Sequence, residues 1–243
     1  MGLFDLFKKM NTANNVAPSK PDQRENVPGQ ANADRVELEY SILEQMKKTF
    51  IAFDVETTGL NPYSDRIVEL GAVQFVDGRK VRSFSSLVNP HIAIPSTATA
   101  INHITNEMIM AAPLEETVFL SFIDFLGDAI TGDTIMCAHN AQFDFSFLCK
   151  TLSRLGLDAS IKYVDTLGLS RRLVKGLENY KQETVGTFFG LANRSAHRAD
   201  SDAEICGMIL TKLLEIAEPK VQAEQKKAES SKLHEEELEI CAF

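Results

Sequence analysis

Residues 49–57 read TFIAFDVET, an apolar, β-rich run broken by two acids, and this stretch restricts the fold more tightly than any other in the chain. Side chains alternate between the two faces of a strand, so Asp54 and Glu56, two positions apart, point to the same side. Two carboxylates sharing one spot repel each other and are avoided unless a cation compensates them. A divalent metal is the economical compensator. Hard oxygen ligands, without Cys or clustered His, favour magnesium or manganese over zinc. Taken alone, the pair is equally compatible with a strand that ends near Val55, its two acids facing water or capping the turn at Thr57-Thr58-Gly59. Gly59 after two threonines would let backbone N–H groups approach a phosphate or sugar closely, and it also suits a plain tight turn.

The rest of the pattern surrounds this strand with α/β alternation. Ile67 to Val76, Asp77-Gly78 and Lys80 to Val88 read as a hairpin. A helix is expected from about Leu114 to Ile130, a short strand at Thr134 to Ala138, and a helix from about Ala141 to Leu155 that stops at Gly156. Ile161 to Val164 reads as another short strand. Helical segments are expected across Asp165 to Val174 and Lys181 to Phe189, with a last core helix from Asp202 to Ile216. The fold class is therefore α/β, a mixed sheet flanked by helices.

Ahead of this unit, LFDLFKK could make an amphipathic turn or two. Residues 11–33 read as linker, and Asp34 could cap a helix through about Lys48. Residues 1–48 are thus expected to form an N-terminal extension, 49–216 the main domain, and 217–243 a charged tail that is either a solvated helix or disordered. No apolar run approaches the roughly 20 residues of a membrane span. The start lacks a secretory pattern, and the four cysteines form no CxxC pair, which fits a reducing cytoplasm.

Two further acidic motifs follow. In His139-Asn140-Ala141-Gln142-Phe143-Asp144 a strand should end, Asn140 can cap the next helix, and Asp144 falls in its first turns. An acid there can simply complement the helix dipole, but Phe143, Phe145, Phe147 and Leu148 make the surroundings apolar, and an acid among them needs a partner. In HRADSDAE, Ser201 and Glu204 have capping-box spacing, which puts His197 in the loop before the helix and Asp202 in its first turn. His197 then has the chemistry of a general base near neutral pH.

FDVETTGL, AHNAQFDFSFL and HRADSDA, in this order, resemble the three motifs of the DEDDh 3′-to-5′ exonucleases, the group that includes the DNA polymerase III epsilon subunit, RNase T and oligoribonuclease. The resemblance runs from about Thr49 to Leu214. It implies a ribonuclease H-like fold, two magnesium or manganese ions held by Asp54, Glu56, Asp144 and Asp202, and His197 as general base. It also implies release of nucleoside 5′-monophosphates from 3′ ends. Substrate contacts would come from Thr57, Thr58, Gly59, Leu60, Asn102, His103, Asn140 and Phe143, with a structural role equally open to His103. Leu60 and Phe143 are candidates to wedge or stack the terminal base, core packing being the favoured role for Phe143. Many relatives carry a substrate-facing His where this chain has Asn102, which can still hydrogen-bond a nucleotide.

Acids outnumber bases by 34 to 25, which argues against wrapping duplex DNA and is compatible with gripping a few terminal nucleotides through bound cations. The expected partner is a single-stranded 3′ end, DNA before RNA, with a polymerase or replication protein reached through the tails. An RNA-trimming enzyme and a nuclease-fold interaction module are the alternatives.

Overall fold

The computed structural model describes residues 28–191 and 198–240, with side chains to residue 231. The elements are β1 (Ala31–Arg35), α1 (Tyr40–Lys48), β2 (Thr49–Thr57), β3 (Ile67–Val76), β4 (Arg79–Leu87), α2 (Ser96–Asn102), α3 (Asn106–Met110), α4 (Glu115–Leu126), β5 (Met136–Ala138), α5 (Gln142–Arg154), β6 (Ala159–Asp165), α6 (Thr166–Leu173), α7 (Gln182–Phe188) and α8 (Ala199–Ile240). A 3₁₀ segment, Gly127–Thr131, ends the turn after α4. Six strands form one sheet in the order β1-β6-β5-β2-β3-β4. The pairs β1–β6, β6–β5 and β5–β2 are parallel; β2–β3 and β3–β4 are antiparallel. The expected mixed sheet flanked by helices is what forms.

β2 lies inside the sheet, and its alternation divides the core. Ile51, Phe53 and Val55 enter one cluster with α4 and α5, where the Phe53 ring meets Phe122 and Phe145. Phe50 and Ala52 enter the other, with residues of α1, α6, α7 and α8. Fully burying one such aromatic removes surface worth about 1.5–3 kcal/mol from water, so the register of β2 is held from both sides. Asp54 and Glu56 continue the row of Phe50 and Ala52 and therefore face α8.

Several local expectations give way to longer-range contacts. Asp34, expected to open a helix, lies in β1, and part of the stretch read as linker is strand. Pairing with β6 satisfies this backbone and packs Ala31 and Ala33 against the core. The helix begins only at Tyr40 and buries Leu43 and Met46. Helix α8 starts at Ala199, three residues before the expected Asp202, because the Glu69 carboxylate accepts the Ala199 N–H (3.2 Å) and replaces the capping box read at Ser201. It also continues through Pro219 to Ile240, burying Ala217 and Val221 in the same cluster as Leu38, Leu43 and Met46. The LFDLFKK segment and His197 lie outside the described residues.

Candidate active site

The face of β2 that looks at α8 ends in a carboxylate cluster. One oxygen from each of Asp54, Glu56 and Asp202 lies within 4.8 Å of the others. They line a cavity of about 700 Å³, within the size range of small-ligand sites, together with Asp144, Asn140, Phe143, His139 and Gln182. The cavity opens beyond the carboxyl ends of the parallel strands β2 and β5, the place where open α/β sheets commonly bind ligands.

Each acid is delivered by a different device. Asp54 and Glu56 come from strand alternation. Asp144 comes from the first turn of α5 and is buried; its Oδ1 accepts the Val55 N–H (3.2 Å), tying helix to strand. Asn140 does not cap α5. Its backbone takes the left-handed conformation (φ 68°). Asp165 Oδ1 accepts the N–H groups of Asn140 and Ala141 in the turn just ahead of the helix (3.1 and 3.3 Å), and Asp165 caps α6, its Oδ1 accepting the Leu167 N–H and its Oδ2 the Gly168 N–H. Asp202 depends on how closely α8 meets β3. Gly71, the register partner of Asp54, makes that approach possible: a Cβ there would stand 2.0 Å from the Ala199 carbonyl carbon. Two residues earlier on the same face, Glu69 is fully buried and grips Arg198 through Nη2 (2.6 Å) and Nε (2.9 Å), which pins the first turn of α8.

The electrostatics of the cluster are unfavourable to anions. Burial, then the charges of Asp144, Asp202 and Glu56, push the Asp54 carboxyl well above the usual range. Glu56 is pushed up to about 7, first by burial, then by Asp202 and Glu69, against a hydrogen bond from Asn102 and the Arg198 charge. Burial also raises Asp144 well above the usual range, despite backbone N–H groups that favour its charge. Such a set cannot fully ionise without added positive charge. Oxygen-only donors from three clustered carboxylates, with a fourth lining the cavity, suit a divalent metal ion.

The other residues singled out in the sequence divide. Leu60 is 84% exposed in the turn after β2 and is not among the residues that line the cavity, whereas Phe143 lines it while packing on Phe147 (ring centroids 5.0 Å apart). Thr57 and Thr58 are buried in the turn's own bonding: Thr57 Oγ1 donates to the Gly59 carbonyl (2.6 Å), and Thr58 Oγ1 accepts the Arg66 N–H (3.0 Å). At Gly59 a Cβ would meet the Asp65 carboxylate at 2.4 Å, so the missing side chain makes room for Asp65. Asn102 is buried as well. Its Nδ2 donates to the Thr57 carbonyl (3.3 Å) and its Oδ1 accepts the Ile104 N–H (3.1 Å), so it braces the loop below Glu56. His103 ends α2 in the left-handed conformation (φ 59°), a position that favours glycine.

Four participants were not read from the sequence. Glu69 and Gly71 were detectable as an acid and a glycine interrupting the apolar run IVELGAV. Gln182 holds Asp202, donating from Nε2 to its backbone carbonyl (3.0 Å) and to its Oδ1 (3.5 Å). His139 bridges Thr166 Oγ1 (2.9 Å) and the Tyr180 carbonyl (2.8 Å), and burial lowers its basicity.

Residues 51–210 match the family model described as exonuclease (RNase T). The chain is 38% identical over 168 residues to the DNA polymerase III subunit epsilon of Treponema pallidum, covering 68% of this chain and 76% of that protein. It is 40% identical over 166 residues to the PolC-type DNA polymerase III of Caldanaerobacter subterraneus subsp. tengcongensis, covering 68% of this chain but only 12% of that much longer protein. Among solved structures, Exonuclease X in complex with 5′ overhanging duplex DNA is 28% identical, with a TM-score of 0.53 over 69% of this chain and 90% of that one. Escherichia coli Exonuclease I in complex with a dT13 oligonucleotide gives a TM-score of 0.62 at 18% identity, covering 72% of this chain and 43% of that one, a likeness of fold. The fold is accordingly ribonuclease H-like. Among the described residues no helix is long and apolar enough to cross a membrane.

Proposed function

Since the chain belongs to the exonuclease (RNase T) family, we propose that it hydrolyses terminal phosphodiester bonds at the 3′ ends of single-stranded nucleic acid, DNA in preference to RNA, releasing nucleoside 5′-monophosphates. The observation that carries this reading is the convergence of Asp54, Glu56 and Asp202 within 4.8 Å at the wall of a nucleotide-sized cavity. The working unit comprises residues 49–216 with β1 and α1, which complete its sheet and one of its cores.

Asp54, Glu56, Asp144 and Asp202 would hold two magnesium or manganese ions. When bound, such ions supply the positive charge that activates water and stabilises the charge developing on the transferred phosphoryl group. The chain's own contribution is position. Glu69 and Arg198 fix the start of α8, Val55 holds Asp144, and Gln182 holds Asp202. His197, outside the described residues, follows from the family motif as the base that takes the water's proton. Phe143, which lines the cavity, and Leu60, exposed in the turn after β2, would be the residues to meet the terminal base.

The test is mononucleotide release from 3′-labelled and 5′-labelled single-stranded DNA and RNA, in magnesium, manganese or EDTA. We expect shortening from the 3′ end in either metal, none in EDTA, and a faster rate on DNA. Oligomers left intact under every condition would refute hydrolysis and leave a nuclease-fold docking module; faster RNA trimming would reverse the substrate preference.

A further inference from the structure

In the turn that follows β2 an aromatic residue is presented outward that neither the core nor the carboxylate chemistry uses. Tyr63, in the turn between β2 and β3, is 74% exposed. Lys150 of α5 places its Nζ 4.3 Å from the ring centroid, so an ammonium covers one face of the ring. The turn that carries Tyr63 is braced. Asn61 Oδ1 accepts the Tyr63 N–H (3.0 Å), the Asn61 carbonyl accepts the Ser64 and Asp65 N–H groups, and Asp65 Oδ2 accepts the Asn61 N–H (2.8 Å). The ring is therefore held out at low conformational cost.

This pair stands on the two elements that also supply the cavity's acids: the turn follows β2, which carries Asp54 and Glu56, and α5 carries Phe143 and Asp144. Leu60 belongs to the same turn, and Phe143 and Lys150, seven positions apart, lie on one side of α5 about two turns, or roughly 10 Å, from each other. That is the reach of one or two nucleotides of an extended strand. Furthermore, the chain carries a formal net charge of −9, yet this spot sets a cation against an aromatic ring. A ring to stack on and an ammonium beside it match a nucleobase and its phosphate.

We propose that Tyr63 and Lys150 form an outer nucleotide subsite, which takes the strand upstream of the terminal nucleotide: the base stacks on Tyr63, and Lys150 neutralises a phosphate. The subsite rests on the nuclease reading above and extends it to substrate length, since only a chain longer than the terminal nucleotide can occupy it.

The experiment compares kcat/KM for a thymidine octamer with kcat/KM for the p-nitrophenyl ester of thymidine 5′-monophosphate, which is too short to reach Tyr63. In Tyr63→Ala the octamer-to-ester ratio should fall on the order of tenfold, through KM for the octamer. Tyr63→Phe should restore the ratio, because a phenyl ring still stacks. Lys150→Ala should flatten the dependence of log KM on log salt by about 0.7, the loss of one phosphate contact on a single strand. A ratio unchanged in Tyr63→Ala, or both substrates weakened alike, would make the pair a tether of the turn and overturn the subsite. A wild-type chain that cleaves neither substrate would overturn the nuclease reading itself, and the subsite with it.

Discussion

Glu56 and Glu69 are cross-strand partners on β2 and β3, two acids in apolar strands on one face of the sheet, and they are compensated in opposite ways. Glu69 has no exposed surface, but its charge is answered within the chain by the Arg198 guanidinium and the Ala199 N–H. Glu56 is half-buried, and its nearest charges are mostly negative, so its carboxyl is pushed up to about 7. A buried acid with its own cation is architecture; a buried acid among other acids reserves its place for a cation from outside. The difference separates the β3 buttress, which folding completes, from the β2 cluster, which only a bound ion completes.

The sharpest way to break that distinction is to remove one acid from each side. Asp202→Ala should lower hydrolysis by about 10³-fold or more, because it removes a group that would hold the charge-stabilising ions. Metal-free stability should hold or rise, since one member of a repelling set is gone. Glu69→Ala should behave the other way, costing about 1–2 kcal/mol in denaturant unfolding, chiefly by leaving the Ala199 N–H without its acceptor, while the half-exposed Arg198 guanidinium turns to water. Equal stability losses in the two variants would erase the contrast.

What could be read in advance follows the same division. Asp54 and Glu56 were legible because alternation is a local property of β2, and Asp144 and Asp202 because each sits in a short contiguous motif, AHNAQFDFSFL or HRADSDA. The devices that aim them were not legible, because they join distant positions. Glu69 meets Arg198 across 129 residues, Asp165 holds the turn before α5 where Asn140 was expected to cap, and β1 becomes a strand only by pairing with β6. The structural duties of Gly59 and Asn102 were hidden for the same reason: one makes room for Asp65, and the other bonds to the Thr57 carbonyl.

The contrast also has a pH signature. The Glu56 carboxyl is raised from 4.5 to about 7. The folded state therefore binds its proton more tightly than the unfolded chain, and this contribution to stability is full below about 4.5 and is lost as pH rises through about 7. Thermal unfolding in EDTA should show the midpoint declining across that window, and millimolar magnesium should reverse the decline at its upper end. A flat profile in EDTA would mean that the acids of β2 are already compensated by the chain, as Glu69 is.

The smallest expected effect belongs to Gln182. Among the described residues its Oε1 is the one buried side-chain oxygen or nitrogen without a hydrogen-bond partner, while Nε2 donates to Asp202. An unpaired buried carbonyl costs stability, and the amide that carries it also steadies a member of the cluster. Gln182→Leu, similar in volume, removes the unpaired oxygen together with the hold on Asp202. It should unfold at equal or higher denaturant, by up to about 1 kcal/mol, and bind manganese several-fold more weakly in a titration followed by electron spin resonance. A loss of stability with unchanged manganese affinity would instead place Gln182 with Glu69, among the residues that serve the fold.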